Sequence, residues 1–296
     1  MEMKLEIKEL GKDFGKKKAV CNVSVSLQAG VYGLIGENGA GKTTLMRMIC
    51  GVEEPTTGEI VYNGKNIDEI GREYRGILGY LPQEFGYYPH YSAMQFMQQM
   101  AALKGINGRE GKKRILELLE MVGLIEVKKQ KVKTFSGGMI RRLGIAQALL
   151  NDPQIIIMDE PTAGLDPKER VRLRNLISTL SKDKIILLST HIVSDIEYVA
   201  DYILIMKSGL LLQAKTREET ISGEQYKVWE CEIPTEELEA AQERYVITNM
   251  RNTNIGMYLR IVGDKPDIPN AKRTETTLED VYFYEEARGG VVECGD

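Results

Sequence analysis

One octapeptide limits this 296-residue chain more than any other stretch of it. Gly36-Glu37-Asn38-Gly39-Ala40-Gly41-Lys42-Thr43 fits the pattern G-x-x-x-x-G-K-[ST]. It follows an apolar run, Val31 to Ile35, that reads as a strand, and it opens a helix-period segment, Thr43 to Cys50. In that context the glycines let the backbone curl until successive N–H groups point inward, and the helix start adds its positive dipole end. The loop therefore reads as a cradle for nucleotide phosphates. Lys42 would neutralise the β and γ phosphates, and Thr43 would offer its hydroxyl to Mg2+.

The remaining apolar runs extend this into a fold class. Ile155 to Met158 and Ile185 to Ser189 are continuous β-branched and aliphatic stretches, the pattern of strands buried on both faces of a parallel sheet. Helix-period segments fall at Lys112 to Val122, Met139 to Leu150 and Pro167 to Ser181. Alternation of strand and helix signals predicts an α/β domain. Ahead of it, Leu5 to Ile7 and Val20 to Leu27 alternate polar and apolar residues, which predicts an antiparallel, half-exposed sheet. Beyond Gln213 to Gly223 the pattern changes. Tyr226 to Ile233 and Ile255 to Val262 flank a helix-like Thr235 to Arg244, and the chain closes on Thr276 to Ala287, where Thr276 and Glu279 have capping-box spacing. The expected division is a main domain over 1–214 and a small α+β domain over 215–296.

Composition narrows the class of partner. With 43% hydrophobic residues, 28% charged residues and a net charge of -4, the chain is ordinary globular protein with no electrostatic reason to bind nucleic acid. No apolar run approaches the roughly 20 residues that cross a bilayer as a helix, so a membrane role would come through a partner. The N-terminus has no signal-peptide core. Cys21, Cys50, Cys231 and Cys294 are widely separated and form no metal-spaced pair, so they are expected as reduced thiols. The lysine-rich run from Lys128 to Lys133 reads as a solvated face, and His90 as an ordinary loop residue.

The run Ile155-Ile156-Ile157-Met158-Asp159-Glu160 ends a buried strand in two carboxylates. A parallel sheet places them at the edge where such folds bind ligands. Asp159 is positioned to hold Mg2+ through water, and Glu160 to polarise an attacking water as general base. Between cradle and carboxylates lies Phe135-Ser136-Gly137-Gly138-Met139, in which Ser136 can cap the following helix.

These residues, in this order, resemble the ABC ATPases. The resemblance implies a P-loop fold of ABC type, with the antiparallel β subdomain, a helical subdomain at about 86–150 and the C-terminal α+β domain. It casts Ser136, Gly137 and Gly138 as the family's signature loop and Gln83 as the Q-loop glutamine, which touches Mg2+ and faces the membrane partner. Asp166 stands as the D-loop aspartate and His191 as the switch histidine at the γ phosphate. Phe14 stands where an adenine-stacking aromatic is usual, with Val20 close behind it. Nucleotide contacts are thus expected from Phe14, Val20, Gly36, Glu37, Asn38, Gly39, Ala40, Gly41, Lys42, Thr43 and Thr44, and across a dimer interface from Ser136, Gly137, Gly138 and Asp166. Catalysis is expected from Glu160, His191, Lys42 and Gln83, and Mg2+ ligation from Thr43, Gln83 and Asp159.

The signature reads Phe-Ser-Gly-Gly-Met where Leu-Ser-Gly-Gly-Gln is commoner. That form, with Thr277-Leu278-Glu279-Asp280-Val281-Tyr282 near the end, resembles the exporter branch that includes bacitracin-resistance, lantibiotic-immunity and sodium-extrusion ATPases. Two such subunits, alike or different, would face head to tail beneath a separate permease on the cytoplasmic face of the membrane. Phe85, Tyr87 and Tyr88 would either pack on a permease helix or complete the local core. Two other readings stay open: a soluble ABC ATPase acting on ribosomes or DNA, and a non-hydrolysing regulatory module.

Overall fold

The computed structural model describes residues 3–288. From the N-terminus the elements run β1 (Leu5–Phe14), β2 (Lys17–Leu27), β3 (Gly30–Ile35), α1 (Lys42–Ile49), β4 (Thr57–Tyr62), β5 (Lys65–Asn66), α2 (Ile67–Gly76) and β6 (Leu78–Leu81). The helices α3 (Ala93–Leu103), α4 (Gly108–Met121) and α5 (Gly137–Ala148) follow. Then come β7 (Ile155–Asp159), α6 (Pro167–Leu180), β8 (Ile185–Thr190), α7 (Val193–Ile196), β9 (Tyr202–Lys207), β10 (Leu210–Thr216) and α8 (Arg217–Ile221). The chain closes through β11 (Val228–Ile233), α9 (Leu238–Arg244), β12 (Val246–Thr253), β13 (Gly256–Val262), β14 (Lys272–Thr274) and α10 (Leu278–Arg288).

A six-stranded sheet in the order β10-β9-β3-β8-β7-β6 forms the centre. Strands β9, β3, β8, β7 and β6 are mutually parallel, and β10 returns antiparallel on the edge. Every residue of β3, β7 and β8 is buried, as the unbroken apolar runs require. Side chains alternate across a strand, so each run feeds two cores. Ile156, Met158, Ile186 and Leu188 join the helix-rich core, while Ile155, Ile157, Ile185 and Leu187 join the core beneath α1 and the N-terminal sheet. At about 1.5 to 3 kcal/mol per buried aliphatic side chain, the doubly covered sheet dominates the stability of the fold. The N-terminal sheet, β2-β1-β4-β5, is antiparallel throughout.

The C-terminal sheet, β12-β13-β11-β14, is also antiparallel. Its outer face has its own apolar cluster, including Cys231, Leu259 and Ile261. Tyr226, Val228, Val262, Leu278 and Val281, however, belong to the same core as the central sheet. The boundary expected after residue 214 falls inside β10. The C-terminal unit is therefore seated on the main body through a shared apolar layer, with α10 as the wedge.

Several local expectations need correction. The cap of α10 is one residue further on: Thr277 Oγ1 accepts from the Asp280 amide at 3.3 Å and Asp280 Oδ2 accepts from the Thr277 amide at 2.8 Å. Thr276 instead donates its hydroxyl to the Tyr226 carbonyl, because burying Val281 and Leu278 sets the helix phase. Strand β12 was not expected; its residues alternate weakly, and none of them is fully buried. Cys50 and Cys231 are free and buried. Cys21 is disulfide-bonded, against the expectation of reduced thiols, since spacing along a chain does not report which Cβ atoms meet. Cys294 lies outside the described residues.

Candidate functional site

The glycine loop leaves the C-terminal end of β3 at the middle of the sheet and turns into α1, where the topology puts ligand sites. Its tightness is enforced by close backbone approaches. A Cβ on Gly36 would lie 2.1 Å from the Met206 carbonyl oxygen, and one on Gly41 2.3 Å from that of Ala19. Gly41 also caps α1 at φ 103°, a conformation that glycine adopts without strain.

Lys42 is buried, and its ammonium folds back on the loop, donating to the carbonyls of Gly36 at 2.6 Å and Glu37 at 3.1 Å. Burial pushes its pKa down, against the opposing pull of the Glu160, Asp159 and Glu286 carboxylates. A phosphate anion entering the loop would supply the counter-charge that desolvation withholds.

Opposite the loop, β7 ends in Asp159, and Glu160 follows at φ 50° in the left-handed region. Ser189 at the end of β8 holds both: its hydroxyl donates to Asp159 Oδ1 and accepts from the Glu160 amide at 2.9 Å. The other Asp159 oxygen, Oδ2, is buried with no hydrogen-bond partner. An orphaned carboxylate oxygen is costly, and it fits a cation ligand better than a fold contact. Among the described residues no three His, Cys, Asp or Glu side chains cluster as a metal cage. The free oxygen of Asp159 beside the phosphate loop fits Mg2+, which is commonly bound by one or two carboxylates together with substrate phosphates.

A cleft of about 300 Å³ gathers most of the expected residues. Asn38, Gly39, Gly41, Lys42, Thr43 and Thr44 form one wall, Gln83, Asp159 and Glu160 another, and Phe14 the mouth. Phe14 is half exposed, with the Lys12 ammonium 5.1 Å from its ring centre. His191 Nδ1 reaches the Glu160 carboxylate at 2.9 and 3.0 Å. Gly36, Glu37 and Ala40 shape the loop without lining the cleft.

Val20 does not line it either. Its side chain is in the core, and Lys17 and Ala19, which sequence reasoning missed, take the wall instead.

Ser136, Gly137, Gly138 and Asp166 stand outside this cleft. Ser136 caps α5, accepting from the Met139 amide at 3.2 Å, and Asp166 caps α6, accepting from Glu169 at 2.9 Å. Gly138 is pressed by Glu169, whose Oε2 would lie 2.0 Å from a Cβ there. Arg142 holds that carboxylate at 2.8 Å.

Sequence reasoning also passed over Arg141. Its buried guanidinium lies behind Asp159 and Glu160 and donates to the carbonyls of Pro82, Gln83, Asp159, Glu160 and Pro161. Ser189 and Arg141 carried no motif signal, because what they contact is fixed by strand order.

A doubly wound parallel sheet with a glycine cradle facing two carboxylates defines a P-loop nucleotide hydrolase. The family model described as ABC transporter matches residues 20–163. The chain is 33% identical, over 96% of both chains, to the uncharacterized ABC transporter ATP-binding protein YcbN of Bacillus subtilis (strain 168). It is 36% identical to the bacitracin transport ATP-binding protein BcrA of Bacillus licheniformis, over 69% of this chain and 67% of that one. Among solved structures, a dimeric post-hydrolysis state of the ATP-binding cassette MJ0796 with ADP and Pi superposes with a TM-score of 0.66 at 26% identity, over 72% of this chain and 98% of that one. The chain belongs to the ATP-binding subunits of ABC transporters, and it is an ATPase.

Proposed function

We propose that this ATPase works as one of a pair that powers a separate permease exporting drugs, peptides or ions, at the cytoplasmic face of the membrane. The observation that carries the reading is the convergence of Lys42, Thr43, Gln83, Asp159 and Glu160 on one cleft. The bacitracin-transport relative supports export, and the dimeric cassette supports pairing. No helix among the described residues is long and apolar enough to cross a membrane, which is compatible with a permease on a separate chain. We assign the chain through the end of β10 to the motor and the unit from β11 to α10 to an accessory domain packed against it.

In this reading the loop amides and Lys42 bind and orient the β and γ phosphates, and Phe14 stacks on the adenine. Thr43, Gln83 and Asp159 would hold Mg2+, which neutralises phosphate charge when bound. Glu160 accepts a proton from water as its oxygen attacks the γ phosphorus and the bond to ADP breaks. His191, held by Glu160, donates a hydrogen bond to the γ phosphate. Ser136, Gly137, Gly138 and Asp166 close on the nucleotide of the partner subunit, giving each site two owners.

The test is phosphate release by purified chain, wild type against Glu160→Gln, with dimerisation followed by sedimentation. The reading requires that wild type hydrolyse ATP and that Glu160→Gln trap an ATP-dependent dimer. Failure of the variant to dimerise would remove the pairing, and an inert wild type would remove the motor.

A further inference from the structure

Arg141 is 6% exposed, yet its charge is met by backbone carbonyls. A guanidinium has five N–H groups, and five carbonyls accept one each. Nη1 donates to Pro82 at 2.8 Å and Gln83 at 3.1 Å, Nη2 to Asp159 and to Glu160 at 2.6 Å, and Nε to Pro161 at 3.4 Å. The first pair lies just past β6, and the remainder are the last residue of β7 and the two that follow it; β6 and β7 are adjacent parallel strands. These two loops carry the proposed Mg2+ ligands Gln83 and Asp159 and the proposed base Glu160. The donor comes from neither loop. It stands on α5, five positions after Ser136, about 7 to 8 Å along the helix.

Glu160 makes this contact more than a fastener. At φ 50° its backbone is in a region that costs a non-glycine residue on the order of 1 to 3 kcal/mol and persists only when surroundings hold it. Ser189 holds its amide and Arg141 holds its carbonyl. The helix bearing the signature residues is thereby bonded to the peptide that aims the hydrolytic carboxylate.

We propose that Arg141 is a positioning residue that couples the signature helix to Gln83 and Glu160 of its own chain. Capture of the partner's nucleotide by Ser136 and Gly138 then sets the aim of Glu160 at this chain's own nucleotide, so the two sites of the pair fire in concert. The inference rests on the paired reading above. A displacement of α5 along its axis moves two loops at once, because one rigid planar fork spans them.

Arg141→Lys keeps the charge but has three donors for five carbonyls. It is expected to bind a fluorescent ATP analogue within about threefold of wild type, while kcat falls about a hundredfold, the usual cost of misplacing a catalytic group by about 1 Å. Cooperativity in ATP is expected to vanish. Unchanged kcat, or an equal fall in affinity and kcat, would overturn the proposal. If the lysine variant does not fold, hydrogen exchange on the Glu160→Gln chain decides the matter. Peptides covering 82–84, 136–141 and 159–161 are expected to gain protection at one common ATP concentration, and protection at separate concentrations would overturn the coupling. A Glu160→Gln chain that stays monomeric with ATP would instead remove the pairing, which is a distinguishable failure.

Discussion

Nδ1 of His191 lies 2.9 Å from Oε2 of Glu160, joining the segment after β8 to the segment after β7. The Glu160 side chain is 7% exposed and that of His191 47%, so the carboxylate is buried while the imidazole bonded to it faces the solvent side. Glu160→Gln is expected to lower kcat by about two to four orders of magnitude, as loss of a general base does, with ATP affinity preserved. His191→Ala is expected to lower kcat while leaving the Glu160 backbone anchored by Ser189. Single-turnover phosphate release alongside equilibrium nucleotide binding checks both.

Gly41→Ala is the severe test of the cradle. The new methyl would meet the Ala19 carbonyl at 2.3 Å, in a residue already at φ 103°. Neither strand β2 nor the loop can retreat cheaply, so nucleotide affinity is expected to fall more than about tenfold and stability by about 3 kcal/mol. Denaturant melts with and without ATP measure both quantities.

Gly138→Ala tests a softer contact. Here the obstacle is the tip of the Glu169 side chain, which can swing away by giving up its pairing with Arg142. Stability is expected to drop by about 1 to 2 kcal/mol, the worth of one charge-assisted contact. Adding Glu169→Ala to Gly138→Ala should relieve the clash, so the double variant should be less destabilised than the sum of its parts. A thermodynamic cycle of the four proteins reads this directly.

In the C-terminal unit, Asp280 is buried and accepts from Arg260, Thr248 and Thr277. Burial raises its pKa, but the hydrogen bonds from Arg260, Thr248 and Thr277 outweigh it and hold the carboxyl below its usual value. A depressed folded pKa contributes stability above the unfolded value of 3.8, and that contribution is lost as pH falls through the folded value. Asp280→Asn should therefore cost about 3 kcal/mol near neutral pH, and the gap from wild type should narrow in acid melts below pH 3.8.

The sheet and its ligand edge were legible because the runs Val31 to Ile35, Ile155 to Met158 and Ile185 to Leu188 carry no charged residue and are buried on both faces, which few other arrangements allow. The cleft was legible because the cradle is contiguous and Asp159-Glu160 ends a strand. Less legible were contacts that depend on strand order. Ser189 meets Asp159 only because β8 neighbours β7, and Arg141 meets Gln83 only because β6 does. The phase of α10 was missed by one residue because Thr276 and Thr277 both offer a hydroxyl, and only the burial of Leu278 and Val281 distinguishes them.

All five acceptors of Arg141 are main-chain oxygens, which every amino acid possesses. The loops after β6 and β7 can therefore drift in side-chain identity without altering what the guanidinium grips. The burden of keeping the tie falls on a single codon in α5. A library randomised across this region should tolerate exchanges at Pro82 or Pro161 for this contact while returning arginine at 141, an asymmetry between the hand and what it holds.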